Sequence, residues 1–299
     1  MITYSFIIPH HNSPELLARC LNSIPQREDI EIIVVDDNSD ADKKPQVKRP
    51  DVKLIYIDAE HTKGAGRARN YGLKEAKGKW LVFADADDFF VPGFLDVLDE
   101  YKESDSDVVY HPAKAADTVT LREMPALLKP HNEYFSKYDG TKNTLDFIKF
   151  RLHSPWWKMV RKELVEKYHI QFEEVPKGND IFFSYQVGYF SKDVSIDQRP
   201  IYVYTYNRNG ITNGKKNKEV YMSVLRSKIK IREFYRFINH EEWTVNSIRI
   251  WIKMIKKDGI LLFSQTLMAY WRNYKDIKSS KMYYVEEIKK NECDVHYKK

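Results

Sequence analysis

The sequence predicts an α/β fold with an open, mostly parallel sheet that is flanked by helices. Three observations predict this fold: short β-branched runs alternate with helical spacings, the runs end in polar clusters, and a glycine-rich turn opens a helix. The chain has 299 residues, of which 42% are hydrophobic and 31% are charged. This composition indicates a globular chain with room for one large domain and an appendage.

Strands are predicted at four short apolar runs rich in β-branched and aromatic residues. These runs are residues 4–8, 30–35, 52–57 and 79–84. Helices are predicted over residues 15–24, from apolar residues at helical spacing, and over 64–76, where glycines open the helix. Because ligands bind beyond the carboxyl ends of parallel strands, the polar clusters 10–12, 36–39 and 85–88 are expected to converge there.

The rest of the chain is less regular. Strands are predicted over residues 106–110 and 200–206, and helices over 144–152 and 181–190. Residues 111–140 carry few signals, and no role is assigned to residues 111–150. From residue 219 onward, the pattern is helical throughout.

The net charge of +6 is unevenly distributed. Residues 215–299 contain 20 Lys and Arg against 10 Asp and Glu, whereas residues 1–214 contain 29 against 33. Basic helices with interleaved aromatic residues are typical of proteins that lie on anionic membranes, so peripheral membrane contact is expected. The alternative is a solvated basic face on helices that pack against the catalytic domain or a second subunit.

The two cysteines, Cys20 and Cys293, have no metal-ligand spacing and favour a reduced, cytoplasmic compartment over a disulfide framework. The N-terminus lacks the basic region and apolar run of a signal peptide. No run approaches 18 apolar residues, so no spanning helix is predicted. The histidines show no zinc-ligand spacing, and neither a Walker A sequence nor a nucleophile elbow is present.

Asp85 and Asp87 are separated by one residue at the end of a predicted strand. Mg²⁺ and Mn²⁺ prefer oxygen ligands and readily bridge diphosphate oxygens. The alternative is a loop whose carboxylates are merely solvated. The position directly after an apolar run favours a metal site.

Residues 36–39 also follow a strand, although Asp, Asn and Ser are common in ordinary turns and helix caps. A carboxylate at a strand terminus can accept hydrogen bonds from a nucleotide base or from ribose hydroxyl groups. The glycines at 64 and 66, followed by Arg67 and Arg69, could approach a phosphate or a base. Helix entry explains these glycines equally well.

Four motifs occur in order along the chain: residues 5–12, 32–39, 68–72 and 80–88. Together they resemble the family 2 glycosyltransferases, which have the GT-A nucleotide-sugar-binding fold. The resemblance is strong over residues 3–92 and looser over 154–210. It implies a GT-A-like catalytic domain, 1–214, followed by a basic helical region, 215–299. Within the catalytic domain, residues 1–105 would bind the nucleotide-sugar and residues 106–214 the acceptor.

The resemblance implies roles at the matching positions. Pro9, Asn12 and Asp37 would line the nucleotide pocket, with Asp37 facing the base. His11 stands where the family usually has Tyr, and its flat ring would stack on the base.

Two further sets of residues follow from the resemblance. Gly66 and Arg69 would belong to a loop that closes over the pocket. Asp85 would contact the ribose or the metal. Asp87 would be the principal ligand of Mn²⁺ or Mg²⁺, in the family's Asp-X-Asp motif.

The family's general base usually lies in a Glu-Asp pair ahead of an apolar helix. Here Asn179 stands where Glu is common, and Asp180 matches the Asp of the pair. The resemblance implies that Asp180 is the base. The alternative is an Asp at a helix N-terminus, where the helix dipole stabilises its charge.

The resemblance also reaches the later part of the catalytic domain. Trp156 and Trp157 would bind the acceptor through their aromatic faces, the alternative being core or interface tryptophans. Arg208 would cover the diphosphate from a late loop, the alternative being an ordinary polar turn.

The resulting expectation is an inverting, metal-dependent glycosyltransferase. It would move a sugar from a nucleotide-sugar, with UDP favoured by the resemblance, to a hydroxyl of a saccharide or lipid-linked saccharide in cell-surface polysaccharide synthesis. A second copy of the chain is a further candidate partner, and no nucleic acid is expected. One alternative is a nucleotidyltransferase, which would need a glycine-rich basic loop after the first strand. The other is a non-enzymatic nucleic-acid-binding protein, for which no RNP-like or KH-like pattern is present.

Overall fold

The computed structural model describes residues 1–58, 60, 64–207, 217–244, 248–272, 286 and 288–290. Its strands are β1 (Tyr4–His10), β2 (Ile30–Asp37), β3 (Val52–Ile57), β4 (Trp80–Phe83), β5 (Phe89–Phe90), β6 (Val108–Tyr110), β7 (Ala113–Asp117), β8 (Lys158–Arg161), β9 (Val194–Ile196) and β10 (Tyr202–Tyr206). Its helices are α1 (Pro14–Asn22), α2 (Ala65–Glu75), α3 (Phe94–Asp99), α4 (Lys129–Ser136), α5 (Lys142–Arg151), α6 (Lys162–Lys167), α7 (Ile181–Phe190), α8 (Lys218–Phe237), α9 (Ile248–Asp258) and α10 (Ile260–Arg272).

Within those residues, the central sheet has seven strands in the order β3-β2-β1-β4-β8-β6-β9. Strands β3, β2, β1 and β4 run parallel to one another, and β6 runs parallel to β9. Strand β8 is antiparallel to both of its neighbours, β4 and β6. The predicted α/β fold with an open, mostly parallel sheet is therefore confirmed.

The strands at the centre of this sheet are buried along their whole length. Their near-continuous apolar sequences fit a parallel sheet that helices cover, because neither face then alternates between core and water. Helix α2 packs closely on β1 at one point. A Cβ atom on Gly72 would lie 2.4 Å from Cγ2 of Ile7, so this contact requires a glycine.

Strands β1 and β2 extend beyond the apolar runs that predicted them. The sequence predicted strands ending at residues 8 and 35, whereas the structure continues them to His10 and Asp37. In the register of the pair, His10 lies opposite Asp36. His10 and Asp36 thus form the last pair between β1 and β2, and their side chains bond to each other.

Residues 111–140 contain structure that the sequence did not reveal. Strand β7 pairs in parallel with β10, which also pairs antiparallel with β5, so these three form a second, smaller sheet. Helix α4 follows β7 in the chain. The chain segment before α6 forms strand β8, which joins the central sheet.

The chain forms two compact units, residues 1–174 with 179–210, and residues 175–178 with 211–299. In the second unit, Trp251, Ala269 and Tyr270 pack against Met222 and Leu225. The predicted division into 1–214 and 215–299 stays a prediction. In the part of the chain that the structure covers, none of the helices has the length and apolar character needed to cross a membrane.

Candidate active site

The loops after β1 and β2 are joined by a buried network around Asp36. Nδ1 of His10 lies 2.7 Å from Oδ1 of Asp36, and both side chains are buried. Nε2 of His10 accepts a hydrogen bond from the Ser13 N–H at 3.2 Å, which assigns the ring proton to Nδ1. Ser39 donates to the same carboxylate, and its hydroxyl accepts from the Asn12 N–H at 2.8 Å. The clusters 10–12 and 36–39 therefore meet, as the sequence predicted.

The residues predicted to line the nucleotide pocket lie at this edge of the sheet. Pro9 is buried within β1, opposite Val35. The ring of His11 is exposed, and its Nδ1 donates to the backbone carbonyl of Asp37 at 2.9 Å. Asn12 has a φ of 53°, which asparagine tolerates, and its amide nitrogen donates to Asp40 at 3.0 Å. Their contact with a nucleotide stays a prediction.

Asp37 connects the end of β2 to the start of α2. Its buried carboxylate accepts a hydrogen bond from the Gly64 N–H, with an N···Oδ2 distance of 2.6 Å. Gly64 has a φ of 143°, a backbone conformation that favours glycine. The glycine that opens α2 is thus held by an Asp predicted to face the base.

The structure corrects the prediction of a loop that contains Gly66 and Arg69, because both residues lie within helix α2 and are buried. A Cβ atom on Gly66 would lie 2.0 Å from the carbonyl oxygen of Glu173 and 2.8 Å from Cβ of Asn179. The glycine therefore permits the first turn of α2 to pack against the segment before α7.

Arg69 joins three parts of the site. One guanidinium nitrogen pairs with the carboxylate of Asp85, and the other donates to Oδ1 of Asn179 at 2.9 Å. The guanidinium also lies over the ring of Phe172, 5.3 Å from its centroid. This buried side chain links the turn after β4 to the segment that carries Asp180.

The backbone of the turn after β4 is fixed from two sides. The carbonyl oxygen of Asp87 accepts hydrogen bonds from Arg19 on α1 and from the Thr205 hydroxyl on β10. The buried carboxylate of Asp88 accepts from the Tyr202 hydroxyl at 2.8 Å and from the Thr205 N–H at 2.6 Å. The carboxylate of Asp88 therefore stabilises the turn.

Asp87 is the carboxylate with the greatest need of a positive partner. Apart from its own N–H, no group in the described part of the chain donates a hydrogen bond to this half-buried carboxylate. Burial, together with the charge of Asp85, raises the pKa of Asp87 to about 6. Nearby cations stabilise such carboxylates.

Asp85 and Asp87 would supply two oxygen ligands to a hard divalent cation, and their binding of a metal stays a prediction. Across the described ranges, no group of three or more His, Cys, Asp or Glu side chains is arranged to hold a metal ion. Mg²⁺ is commonly bound by one or two carboxylates together with substrate phosphates and water. Two carboxylates from the chain and oxygens from a diphosphate would form such a set.

The charges of Asp85 and Arg69 also act on Asp180. It precedes α7, is half-buried, and makes no hydrogen bond that caps the helix. Burial raises the pKa of Asp180, the charge of Asp85 raises it further, and the charges of Arg69 and Lys158 lower it. A carboxylate near the Asp-Ala-Asp turn with a raised pKa is suited to accept a proton. Its role as the base stays a prediction.

The two tryptophans predicted to bind the acceptor are buried, with 7% of Trp156 and 3% of Trp157 exposed. Trp156 stacks on Tyr202 with a centroid distance of 5.2 Å, and Trp157 lies 6.0 Å from the Phe135 ring. This packing is that of core tryptophans, the alternative that the sequence left open. An acceptor contact stays a prediction, and Arg208 lies outside the described residues.

Two residues that shape the site carry no signal in the sequence. Arg19 belongs to none of the motifs, and its contact with Asp87 joins residues that are 68 positions apart in the chain. Lys158 is buried in β8, and its charge acts on Asp180. Only the three-dimensional fold brings these side chains to the site.

Residues 5–169 match the model of glycosyl transferase family 2. This match spans more than half of the chain, and the chain therefore belongs to that family.

Named relatives and a solved structure are similar to the chain. It is 25% identical over 222 residues to the putative glycosyltransferase EpsH of Bacillus subtilis. That alignment covers 72% of this chain and 64% of EpsH. It is 28% identical over 219 residues to the poly(ribitol-phosphate) beta-glucosyltransferase of Bacillus spizizenii. That alignment covers 69% of this chain and 32% of the relative. The chain thus spans less than two thirds of the length of these relatives.

The fold resembles that of Staphylococcus aureus TarS, residues 1–349, in complex with UDP-GlcNAc. The TM-score is 0.59 at 22% identity, and the match covers 80% of this chain and 72% of that chain. This likeness shows a shared fold.

Proposed function

We propose that the chain is an inverting glycosyltransferase that moves a sugar from a UDP-sugar to a hydroxyl of a saccharide or lipid-linked saccharide. The observation that carries this proposal is the link through Arg69 between Asp85 and the segment that carries Asp180. Family membership supports the transfer reaction. The UDP-GlcNAc bound to TarS and the name of the B. spizizenii relative support a UDP-sugar donor and a role in cell-surface polysaccharide synthesis.

The donor side of the proposal rests on carboxylates and on an exposed ring. Asp85 and Asp87 would hold Mn²⁺ or Mg²⁺, which would neutralise charge on the departing diphosphate. The exposed ring of His11 would stack on the base. Asp37, which already holds Gly64, would accept a hydrogen bond from the base through its second oxygen.

The transfer step assigns a proton acceptor to this chain. The acceptor oxygen forms a bond to the anomeric carbon, and the bond between that carbon and the diphosphate oxygen breaks. The proton of the acceptor hydroxyl passes to the carboxylate of Asp180, and the nucleoside diphosphate leaves. Direct displacement inverts the anomeric centre.

Replacement of Asp180 by Asn tests this assignment, because Asn keeps the shape of the side chain but cannot accept the proton. We expect Asp180→Asn to bind UDP within about twofold of the wild type and to lose at least 100-fold in turnover, a typical worth of a general base. Asp105→Asn, on an exposed loop, is the matched control and should keep full turnover. Full turnover in Asp180→Asn would remove Asp180 from the reaction.

We further propose that an anionic membrane surface is the partner of α9 and α10. Six large apolar side chains on these helices are between 39% and 71% exposed: Ile252, Ile255, Ile260, Leu261, Met268 and Trp271. Such apolar faces mark interaction sites. The excess of basic residues over 215–299 favours anionic lipid as the occupant, and a lipid-linked acceptor would be found on the same surface.

Vesicle sedimentation tests the membrane proposal with the full chain. We expect wild type to sediment with vesicles that contain phosphatidylglycerol but not with phosphatidylcholine alone. The double variant Leu261→Ser with Trp271→Ser should stay in the supernatant. Val119→Ser, which removes an exposed apolar side chain elsewhere, is the control. Membrane contact would be contradicted if the wild type stayed in the supernatant. It would also be contradicted if light scattering showed the wild type as a dimer and the double variant as a monomer.

A further inference from the structure

Lys158 is a lysine buried almost completely, with 1% of its surface exposed. Its ammonium donates to the carbonyl oxygen of Leu152 at 3.0 Å and to the hydroxyl of Ser184 at 2.9 Å, and it lies 5.4 Å from the centroid of the Tyr110 ring. No carboxylate among the described residues forms an ion pair with it. Burial of an ammonium without a paired carboxylate is unfavourable, so this position calls for a compensating role.

The hydrogen bonds of Lys158 lead to the first turn of α7. Ser184, which accepts from Lys158, also donates through its hydroxyl to the carbonyl oxygen of His153. The N–H of Ser184 donates to the carbonyl oxygen of Asp180 at 3.1 Å. Lys158 therefore fastens the turn that begins at Asp180 to the chain segment ahead of β8.

The charges of Lys158 and Asp180 also act on each other. Burial lowers the pKa of Lys158 to about 7, and the charge of Asp180 opposes this shift. In return, the charge of Lys158 lowers the pKa of Asp180. The other charges that act on Asp180 come from Arg69 on α2 and from Asp85 after β4. Lys158 and Arg69 thus counter the carboxylate of Asp85.

We propose that Lys158 is a positioning residue for the transfer reaction: through its hydrogen bond to Ser184 it fixes the first turn of α7, which follows Asp180. This inference rests on the proposed role of Asp180 as the base. The inference assigns a function to the buried charge of Lys158, which has no part in the proposed binding of the donor or the metal.

Lys158→Met, which keeps the length of the side chain and removes the ammonium, tests the inference. Turnover should fall at least tenfold, while the KM for the donor and the affinity for UDP stay within about twofold. Lys158→Gln and Ser184→Ala, which keep part of the hydrogen bonding, should lose less. The matched control is Lys149→Met. Lys149 also donates to a backbone carbonyl, Ser191 at 3.3 Å, and lies over an aromatic ring, but it belongs to α5.

Titration of the Asp180 carboxyl carbon by NMR, assigned with Asp180→Asn, gives a readout that needs no activity. In Lys158→Met, Asp180 should titrate at a higher pH than in the wild type, whereas Lys149→Met should leave the curve in place. An unshifted curve together with unchanged turnover in all three site variants would overturn the inference. If the wild type uses no donor but Lys158→Met still shifts the Asp180 titration curve, the result would refute the proposed function alone.

Discussion

Arg69 holds Asp85 and Asn179 with one guanidinium: one nitrogen pairs with the Asp85 carboxylate, and the other lies 2.9 Å from Oδ1 of Asn179. The side chain of Arg69 is buried, so its guanidinium has little access to water between the Asp-Ala-Asp turn and the segment before α7. Low access to water strengthens such charge-assisted hydrogen bonds.

Arg69→Met should lower both stability and turnover. Loss of the bridge removes the charged partner of the Asp85 carboxylate, which costs about 1–3 kcal/mol in unfolding free energy. It also removes a charge that lowers the pKa of Asp180. We expect turnover to fall at least tenfold, measured beside urea denaturation.

Arg49→Met is the matched control for that experiment. Arg49 also bonds to a carboxylate, Asp51, and to the backbone carbonyls of Leu21 and Ile24, but it lies outside the site. This variant should lose similar stability and keep its turnover. Equal losses of turnover in both variants would mean that Arg69 acts only through stability.

Gly66→Ala should disturb the packing of α2 against the segment before α7. Its Cβ atom would lie 2.0 Å from the backbone oxygen of Glu173, so backbone must move, at a cost of about 1–3 kcal/mol for such overpacking. Gly140→Ala is the control, because its Cβ meets nothing within 4 Å and its φ of +83° alone costs about 1 kcal/mol. Turnover should fall in Gly66→Ala only. Equal turnover in the two variants would show that the contact between Gly66 and Glu173 does not affect the reaction.

His111 should make the fold sensitive to acid. Both of its ring nitrogens are buried and lack a hydrogen-bond partner among the described residues. Burial lowers its pKa from 6.5 to about 4, although Asp197 opposes this shift and Arg199 adds to it. The unfolded chain therefore binds the proton first as the pH falls. The contribution of His111 to the free energy of unfolding is fully present above pH 6.5. It is lost as the pH falls toward 4, and the loss is on the order of 3 kcal/mol.

Urea denaturation at pH 7.5 and at pH 5 measures this effect. His111→Phe should lose less stability between the two pH values than the wild type, because Phe cannot bind a proton. The control is His169→Asn, since His169 is exposed and Asn tolerates its φ of 50°. The same loss of stability in wild type and His111→Phe would show that another group governs the acid response.

The parallel core of the fold follows from local sequence patterns. Strand β3 and helix α7 occupy the ranges that the apolar runs predicted, 52–57 and 181–190. Strand β8 could not be predicted this way, because its four residues begin with Lys158 and its pairing partners, β4 and β6, come from distant parts of the chain. Strand β7 is rich in alanine, which gives little signal for a strand.

Part of the candidate site also follows from the sequence. Asp85, Asp87 and Asp180 stand out because polar residues follow or precede apolar elements in the order of a known family. The contacts that hold them do not, since Arg69 reaches Asn179 across 110 positions. Burial of Trp156 likewise depends on stacking with Tyr202, a contact that no local pattern specifies.

The most direct measurement is donor binding and hydrolysis across a panel of nucleotide-sugars, with Mn²⁺, with Mg²⁺ and with EDTA, for the wild type and Asp87→Asn. We predict metal-dependent hydrolysis of a UDP-sugar with release of UDP, abolished by EDTA and lowered at least 100-fold in Asp87→Asn. Because Asp87 has a pKa of about 6, activity in limiting metal should also fall as the pH drops below 6. Failure of every nucleotide-sugar to bind, with or without metal, would contradict the assignment of this chain as a nucleotide-sugar-dependent glycosyltransferase.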